Sequence, residues 1–126
     1  MMVKDAILLR LFGLSRVAFG LWLVIAPQKP GELWFGSAEH PPSTSALLRS
    51  VGGRDVGLGL GLALSPQNGL LWLRAGILAD IVDAVAGVLV RDRVPTKNVL
   101  TSFIGGLLYA VIGTVLVRRP SDTRES

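Results

Sequence analysis

Residues 98–117 form an unbroken run of 20 residues without a formal charge. An α-helix of that length crosses the hydrocarbon core of a bilayer, at a rise of about 1.5 Å per residue. Three further segments are nearly as apolar, although each carries charged residues near its middle. We therefore predict an integral membrane protein. The alternative is a soluble helical bundle whose helices are unusually apolar.

The composition of the 126-residue chain argues against several classes of function. The formal net charge is +4, but the basic residues are scattered, so we expect no basic face for nucleic acid. The chain has no cysteine, which excludes a disulfide framework, a thiolate nucleophile and a cysteine-ligated metal. Its single histidine, His40, lies in a proline-rich segment beside Glu39. We expect no metal and no cofactor.

Four helical segments fit the apolar pattern, within a single domain of residues 1–120 that precedes a disordered tail, residues 121–126. Pro27 ends the first segment, because proline disfavours helix in the residue before it. A long proline-rich connection, residues 28–45, leads to the second segment, and a short connection at residues 65–68 forces an antiparallel hairpin. The predicted fold is all-α, an integral membrane four-helix bundle with helices at about residues 6–26, 46–64, 69–90 and 98–117.

Basic residues divide almost evenly between the two ends of such a bundle. If both termini lie on one side, that side holds Lys4, Arg10, Arg118, Arg119 and Arg124. The opposite side holds Lys29, Arg91, Arg93 and Lys97. The small excess on the first side places the termini in the cytoplasm under the positive-inside rule. We therefore expect a multi-pass protein of the cell membrane, with lipids as its immediate partners.

Small residues recur at four-residue spacing in two of the predicted helices. Gly53, Gly57 and Gly61 would form a stripe on the second helix, and Gly106 and Ala110 would lie in a similar stripe on the last. Small side chains let helix backbones approach closely in a membrane. We predict that both stripes pack against other helices. A chance excess of glycine is the alternative, since the chain contains 15 glycines.

Five charged residues lie near the middle of the apolar segments: Arg16, Arg54, Asp55, Asp80 and Asp83. Arg16, Arg54 and Asp80 lie at about 15, 12 and 16 Å from the start of their predicted helices, by the α-helical rise. These depths predict one shared level near the bilayer midplane. Charges at that depth cost roughly 2.5–3.5 kcal/mol each on insertion scales, so they usually face a partner or a cavity.

Opposite charges at one level predict ion pairing. We expect Arg16 and Arg54 to make bidentate contacts with Asp80 and Asp83, which leaves Asp55 without an arginine and gives the cluster a formal charge of −1. A surplus carboxylate in a dry site should be protonated, bridged by water or matched by a cation. The alternative is that the ion pairs only fix the register of the helices, with no ligand.

The order of these features resembles a group of small bacterial four-helix membrane proteins of unknown function, similar in pattern to the DoxX-like proteins. The matching residues are Arg16, Gly20, Pro27, Phe35-Gly36, Arg49-Ser50-Val51-Gly52-Gly53-Arg54-Asp55, Gly59 and Asp80-Ile81-Val82-Asp83-Ala84. The resemblance implies an integral membrane protein with four helices and transfers no reaction. Similarity to DoxX-like proteins would also imply a subunit or partner in membrane redox chemistry. This sequence shows no cofactor ligand that would support that role.

Three functional hypotheses follow. In the first, the protein binds or moves a small polar or amphipathic molecule, with Asp55, Asp80 and Asp83 as proton-linked acceptors and the two arginines as counter-ions; transport by so small a chain would need a homo-oligomer. In the second, the protein is an accessory subunit of a membrane complex whose buried ion pairs only fix helix packing. The third is a membrane enzyme, an isomerase or cyclase of lipid-like substrates. We favour a non-enzymatic role, because no serine has a visible base partner.

Overall fold

The computed structural model describes residues 3–36, 41–89, 92 and 96–118, and these residues are all-helical, as predicted. Two of the connections and the tail predicted at residues 121–126 lie wholly or partly outside this range. A 3₁₀ turn, Pro66–Asn68, joins the third and fourth of the five α-helices. The helices are α1 (Val3–Ile25), α2 (Gln28–Phe35), α3 (Pro42–Leu64), α4 (Gly69–Leu89) and α5 (Thr96–Arg118).

Helix α2 was not predicted, because its prolines suggested an irregular connection. Pro27 occupies the N-cap position and Pro30 lies in the first turn. Proline is tolerated there, since the first N–H groups of a helix have no carbonyl partner within it. Gly36 ends the helix with a φ of 80°, a left-handed conformation that favours glycine, and its N–H donates to the Glu32 carbonyl at 2.8 Å. The predicted connection at residues 28–45 therefore contains a short helix, and its last residues belong to α3, which begins at Pro42.

The C-terminal end of α2 is tied to the N-terminal end of α5 by one side chain. Asn98 is buried, and its amide nitrogen donates to the carbonyl oxygens of Glu32 at 3.2 Å and Leu33 at 2.8 Å. These carbonyls belong to the last turn of α2, and the Glu32 carbonyl accepts from the Gly36 N–H as well. Asn98 thus caps a helix that is distant in sequence.

Replacing Asn98 by alanine is expected to lower the free energy of unfolding by about 1 kcal/mol, since the Leu33 carbonyl would lose its side-chain donor and the Glu32 carbonyl would keep only the Gly36 N–H. Thermal unfolding in detergent measures this effect. Asn68→Ala, which removes the same amide group at an exposed position, serves as the control. An equal loss in both variants would show that the amide does not fasten α2.

Helices α1 and α3 form the closest pair, and glycines determine how near they come. A Cβ atom on Gly20 would lie 2.5 Å from the carbonyl oxygen of Gly52, and one on Gly52 would lie 2.5 Å from the carbonyl oxygen of Gly20. Gly13 and Gly59 face each other in the same way. The two backbones are therefore in direct contact at two levels. These levels are seven residues, or about two helical turns, apart.

The stripe of glycines that we predicted to pack against other helices lies elsewhere on α3. A Cβ built on Gly53 or Gly57 would have no heavy atom of the described residues within 4 Å. Gly61 lies against the ring of Trp72. Among the described residues, Gly53 and Gly57 therefore have no helix packed against them, and their packing role stays a prediction. Spacing of four residues was a poor guide, because the glycines in contact are seven residues apart.

Helices α4 and α5 form the second close pair. Gly106 lies against the backbone of Asp80 and the side chain of Ala84, and Gly113 against Ile77. The side chains of Leu9, Leu62 and Leu73, one from each of three helices, are buried together at the end of the molecule that holds the 3₁₀ turn. They join the α1/α3 pair to the α4/α5 pair, with Phe12, Trp72 and Leu116 packed around them.

The surface of the molecule is strongly apolar. Far more large apolar side chains are exposed than buried among the described residues, and they occur on all four long helices. One segment, Asp5–Ile25 with a mean hydropathy of 1.8, is long and apolar enough by itself to cross a membrane. Only 28% of its most apolar window is buried inside the protein. Exposed examples elsewhere are Leu47, Leu64, Leu71, Leu78, Leu89, Leu108 and Val115.

Candidate functional site

The five charged side chains predicted to share one level meet in a single cluster. Arg16 comes from α1, Arg54 and Asp55 from α3, and Asp80 and Asp83 from α4. The α1/α3 pair therefore supplies both arginines and one carboxylate, and the α4/α5 pair supplies two carboxylates. The cluster bridges the two helix pairs at mid-length, where the long arginine side chains span a gap that the backbones do not close.

The innermost part of the cluster, which we name the inner triad, consists of Arg16, Asp55 and Asp80. Their exposed fractions are 4%, 4% and 5%. The guanidinium of Arg16 contacts both carboxylate oxygens of Asp80, with Nη1 donating to Oδ1 at 3.0 Å and Nη2 donating to Oδ2. A bidentate contact of this kind matches the planar fork of arginine and fixes its direction.

Asp55 is not left without an arginine, contrary to the predicted pairing. Its Oδ1 atom accepts a hydrogen bond from Arg54 Nη2 at 3.2 Å and a longer one from Arg16 Nη1 at 3.4 Å. One carboxylate oxygen thus links the two guanidinium groups. Adjacent residues on a helix point about 100° apart, but the long side chain of Arg54 folds back to reach Asp55.

The remaining part of the cluster, the outer pair, consists of Arg54 and Asp83. Arg54 Nη1 donates to Asp83 Oδ1 at 2.9 Å, and Nη2 donates to Oδ2 at 2.7 Å. The side chains of Arg54 and Asp83 are 31% and 37% exposed, in contrast to the inner triad. The Nε atom of Arg54 is buried and has no hydrogen-bond acceptor among the described residues. The outer pair is therefore the part of the cluster that a molecule outside the chain can reach.

Two aromatic rings cover the inner triad on the side of the buried leucines. The guanidinium carbon of Arg16 lies 5.8 Å from the ring centre of Phe12 and 5.0 Å from that of Tyr109. The two rings are 5.3 Å apart, and the Tyr109 hydroxyl is 3.0 Å from Ser15 Oγ. Cations are attracted to the faces of aromatic rings at these distances. The rings therefore stabilise the charge of Arg16 and exclude solvent from it.

Sequence reasoning did not identify Phe12 and Tyr109. Phe12 precedes Arg16 by four residues, the spacing at which helical side chains lie side by side. Tyr109 is the only tyrosine of the chain and lies within the uncharged run of residues 98–117. The sequence thus contains both rings at suitable positions. Neither position shows whether the ring lies against a cation or packs in the apolar core.

An apolar groove of about 330 Å³ runs along the seam between α4 and α5. Its floor includes Ala84, Gly106 and Ala110, and its walls include Ile81, Val85 and Leu107. Asp80 contributes its backbone to the lining of this groove, because its carboxylate points inward to Arg16. Ala110, predicted to pack helices, thus lies beside a groove that offers apolar contact and no polar group.

The serine hydroxyl groups near the cluster donate hydrogen bonds to backbone carbonyls of their own helices. Ser15 Oγ donates to the Phe12 carbonyl at 2.6 Å, and Ser50 Oγ donates to the Ala46 carbonyl at 3.0 Å. His40 and Glu39 lie outside the described residues. Among the described residues, the chemistry available at the site is therefore that of charge pairing and proton exchange at carboxylates.

No family model matches this chain, and the comparisons with curated proteins and with solved structures found no match. The similarity to DoxX-like proteins therefore stays an interpretation of the short motifs that carry it. The function has to be argued from the site itself.

Proposed function

We propose that the protein is a multi-pass integral membrane protein in which α1, α3, α4 and α5 cross the bilayer. The apolar side chains exposed on all four helices support this arrangement, since water-soluble monomers rarely expose contiguous apolar surfaces of this extent. Charged residues outside the cluster lie toward the two ends of the helices. Arg10, Arg74 and Arg118 are exposed at the end with the chain termini, and Lys29 and Arg49 at the other.

Within this setting, we propose that the outer pair binds a small polar or amphipathic molecule from the membrane. The observation that carries the proposal is the Arg54–Asp83 pair, about one-third exposed at mid-length of an otherwise apolar surface. A charged group in that position is a candidate functional site by default. Three carboxylates and two guanidinium groups give the cluster a formal charge of −1. We therefore favour a ligand with a cationic group that contacts Asp83 and an apolar part that lies along the helices.

A second candidate is an accessory subunit of a membrane complex. The inner triad favours it, because each of its three groups already has a charged partner and its contacts join the two helix pairs. Such a network needs no ligand to account for it. The two candidates assign different roles to the two parts of the cluster, so they can be separated by changing the outer pair alone.

The test is to identify small molecules that copurify with the protein in mild detergent, by mass spectrometry. We expect a cationic amphipath to accompany the wild-type chain and to fall by at least about tenfold in the Asp83→Asn variant, which corresponds to about 1.4 kcal/mol of lost affinity. Asp92→Asn, at an exposed position in the connection before α5, is the matched control and should retain the molecule.

The accessory role would be favoured over binding by either of two results. One is a wild-type protein that carries no such molecule above the level of the detergent blank. The other is an equal amount of the molecule in the wild-type and Asp83→Asn proteins. Thermal unfolding of each variant shows whether the fold has survived.

A further inference from the structure

We propose that the outer pair exchanges its cationic ligand for a proton, and that Asp55 holds this proton when no ligand is bound. The exchange depends on the proposed binding role of the outer pair. It adds a coupling between that site and the buried carboxylate of the inner triad that the binding role leaves unused. The charge balance of the cluster and the sharing of Arg54 between two carboxylates support it.

The cluster has one more acidic group than it has basic groups. Its three carboxylates face two guanidinium groups, and the inner triad is almost wholly buried. An uncompensated charge is costly at mid-length of a membrane helix, so the surplus negative charge needs a proton or a cation to neutralise it. Each of the two makes the cluster neutral, whereas both together would give it a surplus positive charge. A proton and a cationic ligand therefore compete for the cluster.

Asp55 is the carboxylate with the weakest contacts to arginine. Asp80 and Asp83 each receive hydrogen bonds at both carboxylate oxygens from one guanidinium group. Asp55 receives its two at a single oxygen, Oδ1, with the longer distances of 3.2 and 3.4 Å. Hydrogen bonds to a carboxylate favour its charged form, so the proton belongs on Asp55. The charged and titratable groups around it are Arg16 of α1, Arg54 of α3, Asp80 and Asp83 of α4, and Tyr109 of α5, whose ring lies over Arg16.

Arg54 connects Asp55 to the outer pair through one nitrogen atom. Its Nη2 donates to Asp83 Oδ2 at 2.7 Å and to Asp55 Oδ1 at 3.2 Å. A cation that binds Asp83 competes with Arg54 for that carboxylate, and the guanidinium then turns to the contact that it already has with Asp55. Asp55 releases its proton to pair with Arg54, because a carboxylate accepts a stronger hydrogen bond than a neutral carboxyl group does. One proton leaves as one cation enters, so the cluster stays neutral.

The proton on Asp55 can be tested without any ligand. Infrared spectroscopy of the purified protein near neutral pH should show the carbonyl stretching band of a protonated carboxyl group, and the Asp55→Asn variant should lack this band. Asp92→Asn, at an exposed position, is the matched control and should keep it. A wild-type protein without the band, or an Asp55→Asn variant that keeps it, would overturn the proposal.

Thermal unfolding of the same variant gives a second measurement. Asparagine resembles a protonated aspartate in shape and charge, so Asp55→Asn should unfold close to the wild-type temperature. Asp80→Asn removes an ionised partner of Arg16 and should unfold at a clearly lower temperature. Equal losses in the two variants would show that Asp55 is ionised in the free protein, contrary to the proposal.

The exchange can be measured with tetraphenylphosphonium, a lipophilic cation that carries no exchangeable proton. Calorimetric titration in two buffers of different ionisation enthalpy should show about one proton released per cation bound. The affinity should rise about tenfold per pH unit over the range in which the free protein keeps its proton. Asp55→Asn should release no proton and bind at least about tenfold more weakly, because the displaced Arg54 then has no carboxylate to pair with.

The exchange and the binding role can fail separately. Cation binding that releases no proton and has the same affinity at every pH would overturn the exchange and leave the binding role standing. Proton release that survives in Asp55→Asn would show that another group holds the proton, which also contradicts the proposal. A wild-type protein that binds no tetraphenylphosphonium would contradict the binding of a lipophilic cation, and the exchange with it.

Discussion

The Asp80→Asn variant is expected to lose about 3 kcal/mol of unfolding free energy, because it breaks a buried ion pair and leaves Arg16 with only its longer contact to Asp55. Arg16 is buried at 4% exposure and makes both of its strongest contacts with Asp80. The 3.4 Å contact with Asp55 is too long to replace them. Chemical unfolding in mixed detergent micelles, followed by circular dichroism, measures the loss.

The Asp83→Asn variant is the matched comparison, since it makes the same change one helical turn away. Arg54 would keep its 3.2 Å contact with Asp55, and Asp83 is 37% exposed, so the expected loss is clearly smaller than that of Asp80→Asn. Comparable losses in the two variants would contradict the division into an inner triad and an outer pair. A double variant, Arg16→Leu with Asp80→Leu, should be more stable than Asp80→Asn alone, because it removes both charges.

Gly52→Ala and Gly53→Ala should shift stability in opposite directions although the positions are adjacent. A methyl group on Gly52 would lie 2.5 Å from the Gly20 carbonyl oxygen and 2.7 Å from Leu23 Cβ, so α1 and α3 must separate. Overpacking of this kind costs typically about 1–3 kcal/mol. A methyl group on Gly53 meets nothing within 4 Å, and alanine favours helix over glycine by up to about 1 kcal/mol.

Both alanine variants are best measured in dilute detergent, where contacts between chains do not contribute. Thermal unfolding followed by circular dichroism gives the two shifts. If Gly53→Ala proved as destabilising as Gly52→Ala, the assignment of the α1 contact to one face of α3 would be wrong.

The sequence predicted the helices and the charged residues better than it predicted their partners. Apolar length identified all four long helices, and depth along each helix brought Arg16, Arg54 and Asp80 to one level. Both inferences depend on the rise of a helix, which is the same in every protein. Asp55 contacts both arginines because the flexible side chain of Arg54 folds back toward it. The spacing of residues along the sequence does not determine that side-chain conformation.

The glycines show a second limit of sequence reasoning. Gly52 and Gly53 are chemically identical neighbours, and only the position of α1 distinguishes the packed glycine from the open one. Helix α2 was missed for a related reason, since Pro27 and Pro30 break a helix in its interior but are compatible with its first turn. In each case the local sequence did not show where the residue lies relative to a helix: to its neighbour α1 for the glycines, and to the start of α2 for the prolines.

The order of synthesis gives the inner triad a consequence for assembly. Arg16 precedes Asp55 by 39 residues and Asp80 by 64 residues. A chain emerging from the ribosome therefore delivers the cation long before either anion. If the long helices enter a bilayer one after another, the first must wait at the insertion machinery, or at the lipid boundary, until the third arrives. Commitment of the nascent protein to the membrane would then coincide with the arrival of its acidic residues.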